Sequence, residues 1–434
     1  MDLTGNLEPK KLSWEGKVIS IQPLRHASEK TELATLNPAV DAGWIEIFKA
    51  LEMVTKLKEV HLMTTNLSRR KMMQAAGAFV LAPSIATAES AVKRWPIVES
   101  SDTPKLCLSL GDGGRVGTGQ EDEGIRRIRQ LGVDYVLSGG RRIPWQEADL
   151  RTRIERLRAK GLTLYNLMIG GFRNAIYGRP GRDEEIEKVI QSIRAAGKAG
   201  LPVIEYNFYA HRAMEGYYEQ VGRAGAGYTA FDYDRMKDLP PLPHEGAHSL
   251  EEMWKNITYF LEAVVPVAEE SRVRLALHPN DPPAPMSRGS GQIMGTVAGW
   301  KRLIEIVPSP ANGITFDCGV TKEMGEDPVE VCRYFASRRR INHMHFRNVR
   351  VVKPYEKYAE VFPDEGEVDM FGVMKELVRQ KYTGMIYPEH PRALDYDRQQ
   401  PGFRRGYPGG GGYAGIAYNV AYAKAMLQAA LASR

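Results

Sequence analysis

Four side chains that can bind a metal follow four consecutive apolar runs in the second half of the chain. They are His278, Cys318, His345 and Glu389. Each alone has an ordinary explanation, because a buried histidine or a free cysteine more often serves in packing. If the runs are parallel strands whose carboxyl ends converge, however, all four side chains reach one volume. The pattern therefore predicts one divalent metal, and the mixture of imidazole, thiolate and carboxylate favours Mn, Fe, Co or Zn over Mg or Ca.

Two further histidines accompany these candidate ligands. His343 lies two residues before His345, so the period of a strand puts it on the same face, as a partner of a ligand or as an alternative ligand. His390 follows Glu389 in a Pro-Glu-His-Pro segment whose prolines stiffen the backbone. This position at the rim suits an acid or a base.

The elements that must position these residues alternate regularly from residue 104 onward. Short runs rich in Val, Ile, Leu and Tyr alternate with longer segments of helical period, which is typical of repeated βα units. The predicted strands are 106–110, 135–137, 163–168, 203–208, 274–278, 313–317, 342–346 and 384–387. The predicted helices are 121–130, 145–159, 184–199, 250–270, 296–306, 328–337, 370–379 and 416–431. Eight strands favour a single (β/α)8 TIM barrel of the α/β class over an open doubly wound sheet.

Two long insertions interrupt this alternation, at 209–249 after the fourth strand and at 347–369 after the seventh. Loops that follow barrel strands rise on the catalytic face, so we expect a lid and substrate walls here. The glycine-rich run 408–412 lacks the neighbours of a phosphate loop and is interpreted as a flexible lead into the last helix. Candidate substrate contacts near the end of the fourth strand are Tyr206, Asn207, Arg212 and Arg223.

Composition excludes several classes of function. Charged residues at 26% and hydrophobic ones at 43% are ordinary for a globular protein. No apolar run reaches the roughly 18 to 20 residues of a membrane span, so we predict no membrane association after processing. The net charge of +6 comes from scattered Arg and Lys without a nucleic-acid motif, so we predict no nucleic-acid partner and expect a small organic acid instead. Three cysteines are too few for a disulfide framework.

The N-terminal region contains the layout of a twin-arginine signal peptide. Arg69 and Arg70 precede the apolar stretch 75–85, which ends in an Ala-Thr-Ala cleavage motif. The alternative is a short amphipathic helix followed by a linker. We expect translation to begin at Met63, which predicts four segments: a non-native or disordered extension (1–62), the signal segment (63–88), a linker (89–103) and the catalytic barrel (104–434). The predicted location is the periplasm if the signal is used and the cytoplasm otherwise.

Three segments resemble the signature segments of the mannonate dehydratases. They are LHPNDPP at 277–283, SPANG at 309–313 and HFRNV at 345–349, and the likeness extends over roughly residues 104–432. The resemblance implies a xylose isomerase-like barrel that dehydrates D-mannonate to 2-keto-3-deoxygluconate with Mn or Fe. It implies metal ligation by His278, Cys318 and His345. The family's fourth ligand, an aspartate, is matched here by Glu389.

The resemblance also suggests roles for further residues. If the substrate is an aldonate, the metal would bind its carboxylate and 2-hydroxyl and stabilise the charge that develops when the C2 proton leaves. We hypothesise that His390 and Tyr413 share the acid and base roles and that Arg347 pairs with the substrate carboxylate. Asn348, the next residue, is a further candidate substrate contact. The alternatives are an internal salt bridge for Arg347 and simple packing of the last helix for Tyr413.

Two other functions remain open from the sequence. A sugar isomerase or epimerase on the same barrel would use the metal to bind adjacent oxygens, but such sites are commonly rich in carboxylates, so Cys318 as a ligand argues against it. A periplasmic sugar-acid-binding barrel without turnover is the alternative from another class. The sequence does not determine the oligomeric state, and a homo-oligomer is compatible with it.

Overall fold

The computed structural model describes residues 10–14, 17–21, 96–97, 99–113, 121–401, 403 and 406–434. The chain divides into two compact units, Met1–Ser90 and Ala91–Arg434. In the first, β1 (Lys10–Trp14) and β2 (Lys17–Ile21) form an antiparallel hairpin that the sequence analysis did not expect. The predicted twin-arginine segment, 63–88, lies outside the described residues. Within the described part of the chain, no helix has the length and apolar character needed to cross a membrane.

The second unit alternates strands and helices. Its strands are β3 (Lys105–Ser109), β4 (Tyr135–Gly139), β5 (Thr163–Ile169), β6 (Val203–Tyr206), β7 (Tyr217–Val221), β8 (Gly227–Asp232), β9 (Arg274–Leu277), β10 (Met286–Ser287), β11 (Ser290–Gly291), β12 (Asn312–Asp317), β13 (Ile341–His345), β14 (Asn348–Lys353), β15 (Lys357–Val361) and β16 (Met385–Tyr387). Its α-helices are α1 (Glu121–Gln130), α2 (Glu147–Ala159), α3 (Arg173–Tyr177), α4 (Arg182–Ala199), α5 (Leu250–Glu270), α6 (Val297–Ile306), α7 (Cys318–Glu323), α8 (Pro328–Ser337), α9 (Met370–Arg379), α10 (Asp395–Gln399) and α11 (Tyr413–Ala432).

Eight of these strands close into a parallel barrel, in the chain order β3, β4, β5, β6, β9, β12, β13 and β16, with β16 pairing back to β3. The prediction of a single (β/α)8 barrel is confirmed. The apolar runs predicted these strands because parallel barrel strands are covered on both faces, and every residue of β12 and β13 is buried. The helices also follow local signals: α5 begins with a capping box in which Ser249 and Glu252 satisfy each other's backbone amides.

The register of β12 and β13 determines which side chains enter the barrel. Thr315 pairs with His343 and Asp317 pairs with His345. Alternate residues of a strand point to opposite faces. The Thr315 hydroxyl donates to Glu205 inside the barrel at 2.9 Å, whereas Phe316 packs against Trp300 of α6 with ring centroids 6.5 Å apart. Residues 315 and 317 therefore face inward.

The two long insertions contain a second sheet, which we call the cap sheet: β14, β15, β8 and β7, all antiparallel. Its central pairing joins β8, from the insertion after the fourth barrel strand, to β15, from the insertion after the seventh. Tyr217, Phe231 and Tyr358 pack together, with ring centroids 5.1 and 5.2 Å apart. The predicted lid and substrate walls are thus built partly from one shared sheet.

The glycine-rich run before the last helix differs from its prediction as a flexible lead. Gly409 has φ +68°, and a Cβ there would clash with the carbonyl group of Tyr228 on β8. Gly410 forms an isolated bridge with Arg392. The glycines permit a close approach between this segment and the cap sheet.

Candidate active site

Five potential ligands meet at the carboxyl ends of the fourth to eighth barrel strands, and we call them the central cluster. They are Glu205 in β6, His278 after β9, Asp317 at the end of β12, His345 at the end of β13 and Glu389 after β16. His345 lies in the middle. Its Nδ1 is 3.0 Å from Glu389 Oε1, 3.3 Å from His278 Nε2 and 3.8 Å from Asp317 Oδ2. Its Nε2 is 3.5 Å from Glu205 Oε1.

The donor atoms of the central cluster fit a divalent metal. Two groups of three, Glu205–His278–His345 and Asp317–His345–Glu389, each keep their donor atoms within 4.8 Å of one another. His278 Nδ1 donates to the Pro279 carbonyl at 2.8 Å, which leaves Nε2 unprotonated and free to bind a cation in the neutral ring. The buried Glu389 Oε1 faces His345 Nδ1 at 3.0 Å and Arg347 Nε at 3.5 Å. Imidazole and carboxylate donors in a buried site suit a first-row divalent ion.

The histidines in and beside the central cluster offset the negative charge of its carboxylates. Burial alone would lower the pKa of His345, but Glu389, Glu205 and Asp317 outweigh burial and raise it to about 9. Conversely, burial would raise the pKa of Glu389, and His345 and His390 hold it well below its ordinary value. These histidines therefore favour the ionised form of Glu389, which can attract a cation, whereas burial raises the pKa of Asp317.

Glu205, which the sequence analysis missed, is held by two side chains. Asn166 Nδ2 donates to its Oε2 and the Thr315 hydroxyl donates to its Oε1, both at 2.9 Å. His343 lies beside it with its ring centroid 5.1 Å from that of His345. Burial lowers the pKa of His343 to about 4, so this imidazole is neutral near pH 7.

The structure does not bring Cys318 into the central cluster. The residue opens α7, and its buried thiol donates to the carbonyl oxygens of His345 at 3.5 Å and Arg347 at 3.3 Å. Cys318 belongs to neither three-residue group of the cluster. The residue beside it, Asp317, lies in the cluster instead, and the sequence analysis missed it.

Arg347, predicted to pair with a substrate carboxylate, is an internal counter-ion. Its Nε lies 3.0 Å from Asp317 Oδ2 and its Nη1 lies 2.6 Å from Glu323 Oε1. Three more carboxylates lie within 4 Å of the buried guanidinium: those of Asp281, Glu360 and Glu389. The internal salt bridge considered as the alternative is the arrangement observed, and it offsets much of the repulsion among these buried acids.

His390 lies at the rim of the cluster, as predicted for an acid or base. Its Nδ1 is 2.8 Å from Glu360 Oε2 on β15, and its Nε2 is 3.6 Å from Glu389 Oε2. Burial lowers the pKa of His390, but Glu360 and Glu389 outweigh burial and raise it. The backbone of His390 has φ +47°, a conformation that side chains other than glycine adopt rarely and that is often kept at functional sites.

The tyrosine beside His390 is Tyr407, not the predicted Tyr413. The rings of His390 and Tyr407 lie 4.7 Å apart, and Arg392 donates to the Tyr407 hydroxyl at 3.5 Å. The Tyr413 hydroxyl donates to the carbonyl oxygen of Arg127 at 3.0 Å. Tyr413 therefore packs the start of α11 against α1, which was the alternative interpretation.

A cavity of about 520 Å³ lies at the carboxyl ends of β4, β5 and β6, and both apolar and polar side chains line it, among them Met168, Phe172, Asn207 and Arg212. Arg212 connects it to the site, because its Nε donates to the Asp281 carbonyl at 2.8 Å and its Nη2 lies 3.5 Å from Asp281 Oδ2. The other predicted substrate contacts lie elsewhere. Tyr206 is buried against Phe260.

Arg223 and Asn348 have structural partners. Arg223 pairs with Asp364 at 2.8 Å and lies over the Phe362 ring. Asn348 Nδ2 donates to the Pro363 carbonyl at 2.8 Å, and its Oδ1 accepts from the Val368 amide at 2.9 Å. Asn348 thus joins the two ends of the cap-sheet insertion.

Comparison with known proteins shows which protein family the sequence is similar to. The chain matches the family model for D-mannonate dehydratase (UxuA) over residues 116–246 and 244–431. It is 31% identical over 318 residues to the mannonate dehydratase of Thermotoga petrophila, covering 64% of this chain and 88% of the relative. The mannonate dehydratase of Enterococcus faecalis is 28% identical over 294 residues, covering 60% and 81%. The crystal structure of mannonate dehydratase from Streptococcus suis serotype 2 is similar with a TM-score of 0.67 at 26% identity, over 76% of this chain and 95% of that chain.

Proposed function

We propose that this protein, which belongs to the D-mannonate dehydratase family and is a hydro-lyase, converts D-mannonate to 2-keto-3-deoxy-D-gluconate and water in a metal-dependent reaction. The observation that supports this most is the central cluster, in which imidazole and carboxylate donors from five barrel strands meet. The family match spans every residue of that cluster. The cavity that Asn207 and Arg212 line, which Arg212 links to Asp281, offers room for a small sugar acid.

The residues that would hold the metal are those of the central cluster, and Mn²⁺ or Fe²⁺ are the proposed ions. A bound divalent ion supplies a Lewis acid that stabilises negative charge developing on the substrate oxygens. Dehydration removes the proton from C2 and the hydroxyl group from C3, and the resulting enol rearranges to the 2-keto acid. The chain must therefore provide a group that accepts one proton and a group that donates another.

His390 is the proposed proton-transfer group. Glu360 accepts a hydrogen bond from Nδ1, which orients the ring and leaves Nε2 as the atom that exchanges protons. The Tyr407 ring packs against the imidazole, with the ring centroids 4.7 Å apart. Since Arg347 is occupied by internal carboxylates, Arg212 and Asn207 are the proposed contacts for the acid and hydroxyl groups of the substrate.

The test is an assay of the full-length protein, loaded anaerobically with Mn²⁺ or Fe²⁺, for release of 2-keto-3-deoxygluconate from D-mannonate. We expect His278→Ala and His390→Asn to lose the product. Tyr413→Phe is the matched control, because that hydroxyl donates to the Arg127 carbonyl and is not part of the central cluster, and it should keep the activity. Equal product from the wild type and His278→Ala would contradict the proposal.

A sugar isomerase or epimerase is the second candidate, and one observation favours it. Glu205, Asp317 and Glu389 give the cluster three carboxylates, the composition that the sequence analysis associated with such enzymes. Exchange of a sugar C2 proton with solvent deuterium, without loss of water, would identify that activity. Binding of metal and D-mannonate without any conversion would instead support a sugar-acid-binding barrel.

A further inference from the structure

We propose that Asp317, and not the neighbouring Cys318, is the ligand that the sixth barrel strand contributes to the metal, so that the centre contains imidazole and carboxylate ligands and no thiolate. This inference rests on the proposed metal dependence but changes the ligand set that the family resemblance implied. It is carried by the alternation of β12, by the partners of the thiol and by the position of Asp317 Oδ2 between Arg347 Nε and His345 Nδ1.

The alternation of β12 assigns Asp317 to the inside of the barrel. Thr315 reaches Glu205 inside, and Phe316 packs outside against Trp300. Asp317 ends the strand two residues after Thr315, opposite His345 in the register. Cys318 is the first residue of α7, so the chain leaves the strand there, and residue 318 is not part of the inward-facing row that Thr315 and Asp317 form on β12.

The thiol of Cys318 contacts two backbone carbonyl oxygens and, within the described residues, hydrogen-bonds to no side chain of the central cluster. Its sulfur lies 3.5 Å from the His345 carbonyl oxygen and 3.3 Å from the Arg347 carbonyl oxygen. These oxygens accept a hydrogen bond from a neutral thiol and would repel a thiolate, which is the form that binds metals. The side chain is fully buried at 0% exposure, so no solvent replaces those partners.

The two carboxylate oxygens of Asp317 have different contacts: Oδ1 caps a helix and Oδ2 faces the central cluster. Its Oδ1 accepts the amide of Val320 at 2.9 Å and caps α7. Its Oδ2 lies 3.8 Å from His345 Nδ1 and 3.0 Å from Arg347 Nε. Helix capping alone would not require the second oxygen to face His345, the central member of the cluster.

The chemical consequence concerns the choice of metal and its stability in air. Replacing a soft thiolate by a hard carboxylate shifts a site towards Mn²⁺ and Mg²⁺ and away from thiophilic ions such as Cd²⁺. A centre without thiolate also lacks the group that oxidises most readily. We therefore expect the Mn²⁺-loaded protein to keep its metal in aerated buffer.

Cobalt spectroscopy of the full-length protein tests the ligand directly. A thiolate bound to Co²⁺ gives an intense sulfur-to-metal absorption in the near ultraviolet, whereas imidazole and carboxylate ligands do not. We expect no such band in the wild type and the same spectrum in Cys318→Ser. Asp317→Cys is the positive control, because it places a thiolate at the proposed ligand position and should create the band.

Affinity for Mn²⁺, measured by calorimetry, provides the second readout. Cys318→Ser should stay within about two-fold of the wild type, whereas Asp317→Asn should lose more than about 100-fold, beyond the loss that changes in outer partners cause. A near-ultraviolet band in the wild type that disappears in Cys318→Ser would overturn the proposal. If Asp317→Asn does not fold, the Co²⁺ spectra of Cys318→Ser and Asp317→Cys still show whether Asp317 or Cys318 is the metal ligand.

Failure of this inference can be separated from failure of the proposed function. A thiolate-free Co²⁺ spectrum in a protein that does not convert D-mannonate would support Asp317 as ligand and refute the dehydratase activity. Conversion of D-mannonate with a thiolate band would support the dehydratase and refute Asp317. Absence of any Co²⁺ or Mn²⁺ binding by the wild type would contradict both.

Discussion

The barrel and the cap sheet both supply carboxylates to the site, but their strands form under different constraints. Each barrel strand pairs with its neighbours in chain order and is covered on both faces. In the cap sheet, β8 pairs with β15 across a separation of 125 residues between Asp232 and Lys357. Its edge strands are half exposed, with Val221 at 79% and Val352 at 77%. The barrel therefore forms from pairings that follow the order of its strands along the chain, whereas the cap sheet depends on a pairing between segments far apart in the sequence.

The barrel and the cap sheet contribute different groups to the chemistry of the site. The central cluster, which would hold the metal, lies on barrel strands and the residues that follow them. The cap sheet contributes Glu360, which orients His390, and Tyr217, whose hydroxyl donates to Asp281. Changes in the barrel should therefore affect metal binding, whereas changes in the cap sheet should affect proton transfer and stability.

The largest effect is expected for His345→Ala in the barrel. Its ring lies between both three-residue groups, so its loss should release the metal and lower kcat/KM by at least about 1,000-fold, because a Lewis acid contributes several kcal/mol. Metal content by mass spectrometry and kcat/KM on D-mannonate check this, with far-ultraviolet circular dichroism as the folding control. Retained metal and activity within about ten-fold of the wild type would refute the assignment.

A smaller effect is expected for Glu360→Gln in the cap sheet. Metal content should not change, but kcat should fall by about 100-fold, at the lower end of what general acid–base catalysis contributes. Glu360 and Glu389 raise the pKa of His390 against burial and Arg347. Removing the Glu360 charge lowers that pKa, so the His390 limb of the kcat–pH profile should move to lower pH. If the His390 limb of the kcat–pH profile stays at the same pH in Glu360→Gln, Glu360 does not act through His390.

Tyr217→Phe should affect stability more than activity. The change leaves the buried Asp281 carboxylate without one donor and removes the contact of the Tyr217 hydroxyl with that of Tyr358 at 3.2 Å. We expect the free energy of unfolding to fall by about 1–3 kcal/mol, measured by urea denaturation. A larger loss of activity than of stability would place Tyr217 in the chemistry.

The smallest effect comes from a matched pair on one cap strand. Val349 is fully buried and Val352 is 77% exposed on β14. Val352→Thr should change the free energy of unfolding by less than about 0.5 kcal/mol. Val349→Thr buries a hydroxyl and should cost about 1–3 kcal/mol. Equal effects at the two positions would mean that β14 does not pack as described.

The sequence predicted the barrel well because its information is local. All eight barrel strands and the bounds of α1, α5, α8 and α9 agree with the structure. Within the site, His278, His345, Glu389 and His390 were found because each follows an apolar run. Glu205 and Asp317 were missed although they lie inside predicted strands. The alternation applied to His343 and His345 would have selected Asp317 over Cys318.

The rest of the site could not be predicted from local patterns. Glu360 approaches His390 from β15, which is held by its pairing with β8 from the other insertion, and Asp281 joins them from the segment after β9. Tyr407 precedes the glycine run and reaches His390 through the close approach of that run to β8. Arg347 looked available for a substrate because its five carboxylate neighbours come from distant parts of the chain.

The β8–β15 pairing has a consequence for how this enzyme can diverge or be redesigned. Loops on the catalytic face of a barrel usually vary one at a time. Here one inserted residue in β15 would shift the register and turn Glu360 away from His390, as any odd shift in a strand does. The two insertions must therefore change in length together, and a transplant of substrate specificity would have to exchange them as a pair.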